Sequence, residues 1–153
     1  LPAGASAWTA PVSIGADDMA DRHPSIAWAG NTLVAAWDSK ELRSSGANLA
    51  VLAASSTDGG QTWSTPAAIA PVEQGQSQYP RLGRDGADVR AVWYDSRAAD
   101  WRWRVMTAKF SGGAWSGQKM IMSRGVNTWP ATDAGVIVFS STRNAKRLQR
   151  DRT

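Results

Sequence analysis

The chain has 153 residues, with 17 Lys and Arg against 13 Asp and Glu, and it contains nine Trp and no Cys. This length allows one ordinary domain with a sizeable core. The lack of cysteine excludes disulfide frameworks, thiolate metal sites and cysteine nucleophiles. No apolar run approaches the roughly 20 residues that a membrane-spanning helix needs. The composition therefore predicts a soluble globular domain without a membrane span.

The net charge of +4 is concentrated at one end of the sequence. Residues 143–153 contain five Lys and Arg and one Asp, so they carry the whole excess, and the rest of the chain is balanced. A surface that binds the phosphates of a nucleic acid needs cations clustered over an extended footprint. The charge pattern therefore does not favour a nucleic-acid partner.

Two sequence landmarks recur in step along the chain. A tryptophan that opens a short polar-to-apolar stretch stands at positions 8, 63 and 115, with spacings of 55 and 52 residues. A flat ring followed by proline stands at positions 23, 79 and 129, with spacings of 56 and 50 residues. Such internal periodicity is typical of architectures in which each repeat is one supersecondary unit. We therefore divide the chain into repeats of about residues 8–62, 63–114 and 115–153.

Each repeat consists of short segments rich in Val, Ile, Trp and Ala, separated by turns with Gly, Asn or Asp. The first full repeat predicts strands near residues 24–28, 33–38, 48–55 and 63–69. A further strand is predicted over residues 8–14, and the last repeat predicts two strands and the start of a third over residues 148–153. Four antiparallel strands in roughly 50 residues are typical of one blade of a β-propeller. The predicted fold class is therefore all-β, with about three propeller blades.

Three blades form only part of a ring, because propellers remove exposed sheet edges by closing a circle of typically four to eight blades. We therefore expect further blades to complete a ring, six-bladed in the simplest case. They belong either to a longer polypeptide that includes this chain or to another copy of the chain.

A turn motif stands between the third and fourth predicted strands of the first full repeat. Residues 56–63 read Ser-Thr-Asp-Gly-Gly-Gln-Thr-Trp and fit the Asp-box pattern Ser-x-Asp-x-Gly-x-Thr-Trp at every defined position. The chain thereby resembles the sialidase-like (BNR-repeat) β-propeller superfamily. In such a hairpin the Asp accepts backbone N–H bonds, the Gly takes a conformation closed to other residues, and the Trp covers the turn. We expect a structural role, not a catalytic one, for Ser56, Asp58, Gly60, Thr62 and Trp63.

The resemblance extends to the start of the first full repeat. Sialidases carry an aromatic-Arg-Ile-Pro element there, and this chain has Asp-Arg-His-Pro-Ser-Ile over residues 21–26. In that family the arginine is one of three that clamp the carboxylate of sialic acid, which suits a bidentate guanidinium. The resemblance therefore implies that Arg22 contacts the ligand. Asp38-Ser39-Lys40 stands where the family has an acidic residue, a spacer and a second arginine, so Lys40 is a partial match.

The chain does not contain a complete sialidase site. In that family the loop after the second arginine supplies the general acid/base Asp, and here residues 41–46 have Glu41 as their only carboxylate. The Tyr and Glu of the family's nucleophile pair lie in later blades, which this chain does not contain. We therefore predict no catalytic residue.

Two further groups are candidate contacts for a glycan. Asp95 with Arg97 repeats the acidic-spacer-basic pattern of the first repeat, which predicts charge pairs at the same end of successive blades. Trp101 and Trp103 alternate with arginines, so a strand there places both indoles on one face. That face is either buried in the sheet or a platform for the apolar face of a sugar ring. The full set of candidate contacts is Arg22, His23, Asp38, Lys40, Asp95, Arg97, Trp101 and Trp103.

Three functional hypotheses follow from the resemblance. The leading one is a carbohydrate-directed propeller module that binds glycans, with catalysis absent or incomplete in this chain. The alternatives are a fragment of an exo-sialidase, which is a glycoside hydrolase, and an oligomerising propeller lectin or scaffold. We expect no cofactor and no metal, because the acidic residues 17, 18 and 21 lack the ligand spacing of a calcium loop. The resemblance implies a secreted or cell-surface protein whose partners are a glycan and the remaining blades.

Overall fold

The computed structural model describes residues 7, 9–15, 19–41, 49–70, 75–96, 102–122 and 124–143. Within these residues the chain forms ten strands and no helix, which confirms the predicted all-β class. Sheet I contains β1 (Met19–Ala29), β2 (Thr32–Glu41), β3 (Ala50–Ser56) and β4 (Ala67–Ala68). Sheet II contains β5 (Ser77–Asp85), β6 (Asp88–Asp95), β7 (Arg104–Ser111) and β8 (Ala114–Met122). Sheet III pairs β9 (Asn127–Asp133) with β10 (Val136–Ser141).

All three sheets are antiparallel, and within each sheet the strands lie side by side in chain order. Two-residue turns join β1 to β2 and β5 to β6. Gly30 and Gly86 begin these turns with φ of 55° and 68°. A backbone of this left-handed kind fits the twist of a tight hairpin and costs glycine nothing, since glycine has no Cβ. The predicted turns therefore fix which strands become neighbours.

The first strand of each sheet contains a β-bulge at its aromatic-Pro pair. In β1 two residues, His23 and Pro24, lie opposite the single residue Trp37 of β2. The same two-against-one arrangement recurs at the other aromatic-Pro pairs, opposite Trp93 in β6 and Phe139 in β10. Proline suits a bulge because it has no backbone N–H to donate to the ladder. The landmark that revealed the repeat in the sequence thus marks an irregularity shared by three sheets.

The sheets pack in chain order with their first strands side by side. β5 contacts β1 and β2, and β9 contacts β5 and β6. A smaller cluster, on the face of sheet I turned away from sheet II, contains Ala35, Trp37 and Ala54 packed with Ile14 and Trp63. The main core lies between sheets I and II and consists of Val34, Ala36, Val51, Ala53, Ile69, Leu82, Val89, Ala91, Trp93, Ala108 and Phe110.

The backbones of sheets II and III approach each other closely at Gly83 in β5. A Cβ atom at Gly83 would lie 2.0 Å from the carbonyl oxygen of Thr132 in β9. At the other end of β9, the fully buried Asn127 anchors the start of the strand, because its backbone N–H and its side-chain amide both donate to the carbonyl of Trp103. Sheet III is therefore held to sheet II by backbone contacts as well as by side chains.

Two strand predictions differ from the structure. Of residues 63–69 only Ala67–Ala68 form a strand, although Ser64 and Ile69 still donate backbone N–H bonds to β3. Pro66 interrupts the ladder there because it cannot donate. The leading strand predicted over residues 8–14 is absent from the described residues 9–15, which form no strand. Residues 148–153 lie outside the described part of the chain.

Candidate functional site

Three flat rings, one from each sheet, form a row along the first strands. His23, Tyr79 and Trp129 all have a left-handed backbone, with φ of 52°, 53° and 54°. Residues other than glycine rarely adopt this conformation, and a following proline disfavours helical backbone further. The ring centroids of His23 and Tyr79 stack 3.6 Å apart, and Tyr79 meets Trp129 edge-on at 5.0 Å. The repeated bulge thus brings three equivalent rings together.

Two more aromatic residues widen this row. Tyr94 stacks on Tyr79 with 5.0 Å between ring centroids and meets Trp103 edge-on at 4.9 Å. Burial, and after it the neighbouring Tyr79, raise the pKa of the Tyr94 phenol well above its usual range. Tyr94 is therefore neutral at physiological pH and can donate a hydrogen bond. We name His23, Tyr79, Tyr94, Trp103 and Trp129 the aromatic cluster.

Asp38 connects the aromatic cluster to sheet I. Its side chain is fully buried, and its Oδ2 lies 2.6 Å from Nδ1 of His23. The same oxygen accepts a hydrogen bond of 3.0 Å from the backbone N–H of Tyr79, which lies in the bulge of β5. Oδ1 lies 3.4 Å from Nε of Arg22. One buried carboxylate therefore joins two side chains of β1 to the backbone of the neighbouring sheet.

A cavity of about 200 Å³ opens at the sheet III end of the row. It is lined by Tyr79, Arg81, Trp129, Pro130 and Ala131. Trp129 is 61% exposed, so much of its indole faces the solvent. Arg81 is exposed as well and adds a guanidinium beside the rings. A flat apolar ring next to hydrogen-bond donors is the composition that binds the C–H face and the hydroxyls of a sugar.

The structure brings together three of the predicted contact residues, Arg22, His23 and Asp38. Lys40 lies two residues further along β2 on the same face as Asp38, opposite Ala20 of β1. The burial of Asp38 removes it from direct contact with a ligand. We therefore assign to it the positioning of Arg22 and His23.

The other predicted contact residues lie further apart. Trp103 belongs to the aromatic cluster, whereas Arg97 and Trp101 lie outside the described residues. Asp95 is buried and accepts a hydrogen bond of 2.7 Å from the hydroxyl of Ser77. Like Asp38, it is therefore shielded from an external ligand.

The register of β6 differs from the repeated charge pattern expected for Asp95. Arg22 pairs with Asp38 in sheet I, and the corresponding pair in sheet II is Gln78 with Tyr94. Tyr94 thus occupies the place of Asp38, and Asp95 lies one residue further on. Because side chains alternate along a strand, this offset sends Asp95 to the opposite face of its sheet.

The Asp-box residues form a self-contained turn away from the aromatic cluster. Asp58 accepts hydrogen bonds from the backbone N–H groups of Gln61 and Thr62, and from the hydroxyls of Thr62 and Ser56. The indole N–H of Trp63 donates to the carbonyl of Gly60, whose φ is 93°. The hydrogen bonds that Asp58 accepts, of which the one from the Thr62 hydroxyl contributes most, hold the pKa of its carboxyl well below its usual range. The carboxylate therefore stabilises the turn.

The loss of stability on replacing Asp58 is expected to depend on pH. Folding lowers the pKa of Asp58 below its ordinary value of 3.8, so the unfolded state binds the proton more readily and stability rises with pH. The contribution is complete above about pH 5 and is lost as the pH falls through the folded pKa. We expect Asp58→Asn to lower the melting temperature by several degrees at pH 7 and by less at pH 3. Thermal denaturation of both proteins checks this, and an equal difference at both pH values would contradict it.

Tyr79, Arg81, Tyr94 and Trp129 are not among the contact residues predicted from the sequence. Tyr79 and Trp129 are members of the repeated ring-Pro pair, but a flat ring that recurs at one place in each repeat is also typical of a packing position. The bulge that they share does not predict exposure, because Tyr79 is half-buried in it whereas Trp129 is 61% exposed. Arg81 and Tyr94 belong to no repeated motif in the sequence, and their place in the cluster follows from contacts between sheets.

Comparisons with known proteins do not identify the chain. No protein-family model matches it, and no curated protein matches it. Among the described residues there is no group of three or more His, Cys, Asp or Glu that could hold a metal ion. The same part of the chain contains no helix long and apolar enough to span a membrane.

Proposed function

We propose that the chain is a carbohydrate-binding module and that the aromatic cluster, with Arg81 and Arg22, forms its glycan site. The observation that carries the proposal is the cavity beside Trp129, where an exposed indole adjoins a guanidinium and a phenol. Trp129 stacks on the apolar face of a sugar ring, and Arg81 donates hydrogen bonds to its hydroxyls. Asp38 contributes indirectly by holding Arg22 and His23 in place.

We also infer that the three sheets are successive blades of an incomplete β-propeller of the sialidase-like type. Three observations support this reading. The sheets follow one another in chain order, their first strands lie side by side, and the same bulge recurs in each. In a propeller the first strand of each blade lines the centre of the ring, so a site formed along β1, β5 and β9 is a site on the central axis.

Calorimetric titration with lactose and with sialyllactose tests the binding proposal. We expect binding of at least one of these sugars and a loss of at least about tenfold in its affinity for Trp129→Ala, because one stacking contact of this kind is lost. Trp28→Ala is the matched control, since Trp28 is also an exposed indole but lies in β1 away from the cavity. Equal affinities of the wild-type and Trp129→Ala proteins would contradict the proposal.

Arginine substitutions separate the two ligand types. If Arg22 or Arg81 pairs with a carboxylate, its replacement by Ala weakens binding of sialyllactose more than binding of lactose. Unchanged affinity of both variants for both sugars would show that neither arginine contacts the ligand. Release of the fluorophore from a fluorogenic sialoside distinguishes the exo-sialidase alternative, and we expect none, because no catalytic residue is assigned in this chain.

A further inference from the structure

His23 is the only histidine of the chain, and it lies in the aromatic cluster. Its ring stacks on Tyr79 with 3.6 Å between the centroids, and its Nδ1 lies 2.6 Å from Oδ2 of Asp38. The side chain of His23 is 27% exposed, whereas that of Asp38 is completely buried. One edge of the imidazole is therefore held by a buried carboxylate, while the ring can still exchange a proton with the solvent.

The contact with Asp38 fixes which ring nitrogen carries the proton when His23 is neutral. An ionised carboxylate only accepts hydrogen bonds. Oδ2 of Asp38 accepts one from the backbone N–H of Tyr79, and Nδ1 of His23 has to be the second donor to it. Nε2 is therefore the bare nitrogen of the neutral ring, and it takes up the proton when the ring becomes charged. The hydrogen bond to Asp38 is kept in both states.

Protonation of His23 changes the charge of the cluster. Among the side chains of proteins, imidazole is the one that ordinarily changes charge between pH 5 and 8. Asp38 lies beside Arg22 and offsets its charge, so a charged His23 adds a positive charge to a site that already contains Arg81. The charged and titratable groups on the strands packed around His23 are Arg22 of β1, Asp38 and Lys40 of β2, Tyr79 and Arg81 of β5, and Tyr94 of β6.

We propose that His23 makes the selection of glycans at the aromatic cluster depend on pH. When its ring is charged, the site binds a glycan that carries a carboxylate more tightly, and when its ring is neutral that preference is weaker. The inference rests on the glycan site proposed above. The added charge lies one stacked ring away from the cavity, because Tyr79 contacts His23 and also lines the cavity. Over such a distance near a surface, one charge attracts a carboxylate and has little effect on a neutral sugar.

Calorimetric titration with sialyllactose and with lactose at about pH 5.5 and about pH 7.5 tests the proposal. We expect sialyllactose to bind about three- to tenfold more tightly at the lower pH, and the affinity for lactose to change by less than about twofold. The carboxylate of the sugar stays ionised at both pH values, since carboxyl groups ordinarily titrate near pH 4.

His23→Asn is the matched variant for this titration. Asparagine tolerates the left-handed backbone of this position, where φ is 52°, and its amide can donate to Asp38. It does not change charge with pH, so we expect the two affinities for sialyllactose to become equal. If the wild-type and His23→Asn proteins show the same ratio of affinities between the two pH values, the pH inference is overturned while the glycan site stands. Absence of binding of either sugar at either pH would contradict the glycan site, and the pH inference with it.

Nitrogen-15 NMR of the single histidine tests the tautomer without any ligand. In the neutral state we expect the chemical shifts of a ring with its proton on Nδ1 and a bare Nε2, and on acidification we expect the Nε2 signal to move most. A neutral ring with its proton on Nε2 would overturn the proposal at its first step, because Asp38 would then not hold the imidazole as the structure has it.

Discussion

Replacement of Asp38 by Ala is expected to lower the free energy of unfolding by about 2 to 3 kcal/mol, the cost of leaving a buried hydrogen-bond donor without its charged acceptor. The truncation leaves the backbone N–H of Tyr79 without its acceptor and leaves His23 and Arg22 without the carboxylate that they share. A buried donor that loses its partner costs its full desolvation free energy. Urea denaturation followed by far-ultraviolet circular dichroism measures the loss as a lower transition midpoint.

A second variant and a control separate the effect of the charge of Asp38 from the effect of removing its side chain. Asp38→Asn keeps an oxygen that can accept from Tyr79, but it turns an amide donor toward Nε of Arg22, so we expect an intermediate loss. Asp133→Asn is the control, because Asp133 is exposed at the end of β9 and its replacement costs little. If Asp38→Ala were no more destabilising than Asp133→Asn, the carboxylate would not hold sheets I and II together.

Replacement of Gly83 by Ala is expected to lower the free energy of unfolding by about 2 to 3 kcal/mol, as overpacking of a close contact does. The new Cβ would lie 2.0 Å from the carbonyl oxygen and 2.6 Å from the carbonyl carbon of Thr132, and it would lie 2.9 Å from Cα of Asp133. These are backbone atoms, so β9 as a whole has to move away from β5. Hydrogen exchange measures this directly, and we expect faster exchange of the amides of β9.

Gly86→Ala provides the comparison for this prediction. Gly86 has φ of 68° and no atom within 4 Å of its Cβ position, so its replacement strains the turn without a clash. We expect a loss of about 1 kcal/mol and unchanged exchange in β9. Equal effects of the two variants on β9 would show that sheets II and III are not packed at Gly83.

Local features of this fold can be predicted from the sequence. Turn glycines and short β-branched segments gave the order of the strands, because hairpin turns and alternation act over a few residues. The turn at Asp58 belongs to the same class, since its hydrogen-bond partners lie within four residues. The fourth strand is shorter than predicted because Pro66 has no backbone N–H to donate to β3. The strand propensity of the neighbouring residues does not include this effect.

Contacts between sheets could not be predicted from the local sequence pattern. Asp38 and Tyr79 are 41 residues apart, and their hydrogen bond requires that β1, β2 and β5 be placed together first. The role of Asp95 was misplaced because one additional residue after Trp93 shifts the charge to the other face of the sheet. The exposed Trp129 resembles a packing residue in the sequence, since it takes the same place as Tyr79. Only the arrangement of the sheets leaves its ring in solvent.

The most direct test of the proposed site is a titration followed by the indole N–H resonances of the nine tryptophans. Addition of lactose or sialyllactose is expected to shift the signal of Trp129 most and that of its cluster neighbour Trp103 next, while the signal of Trp28, in β1 away from the cavity, does not shift. Assignment by single Trp→Phe variants identifies each signal. Saturable shifts at Trp28 with none at Trp129, or no shift with either sugar, would contradict a glycan site at the aromatic cluster.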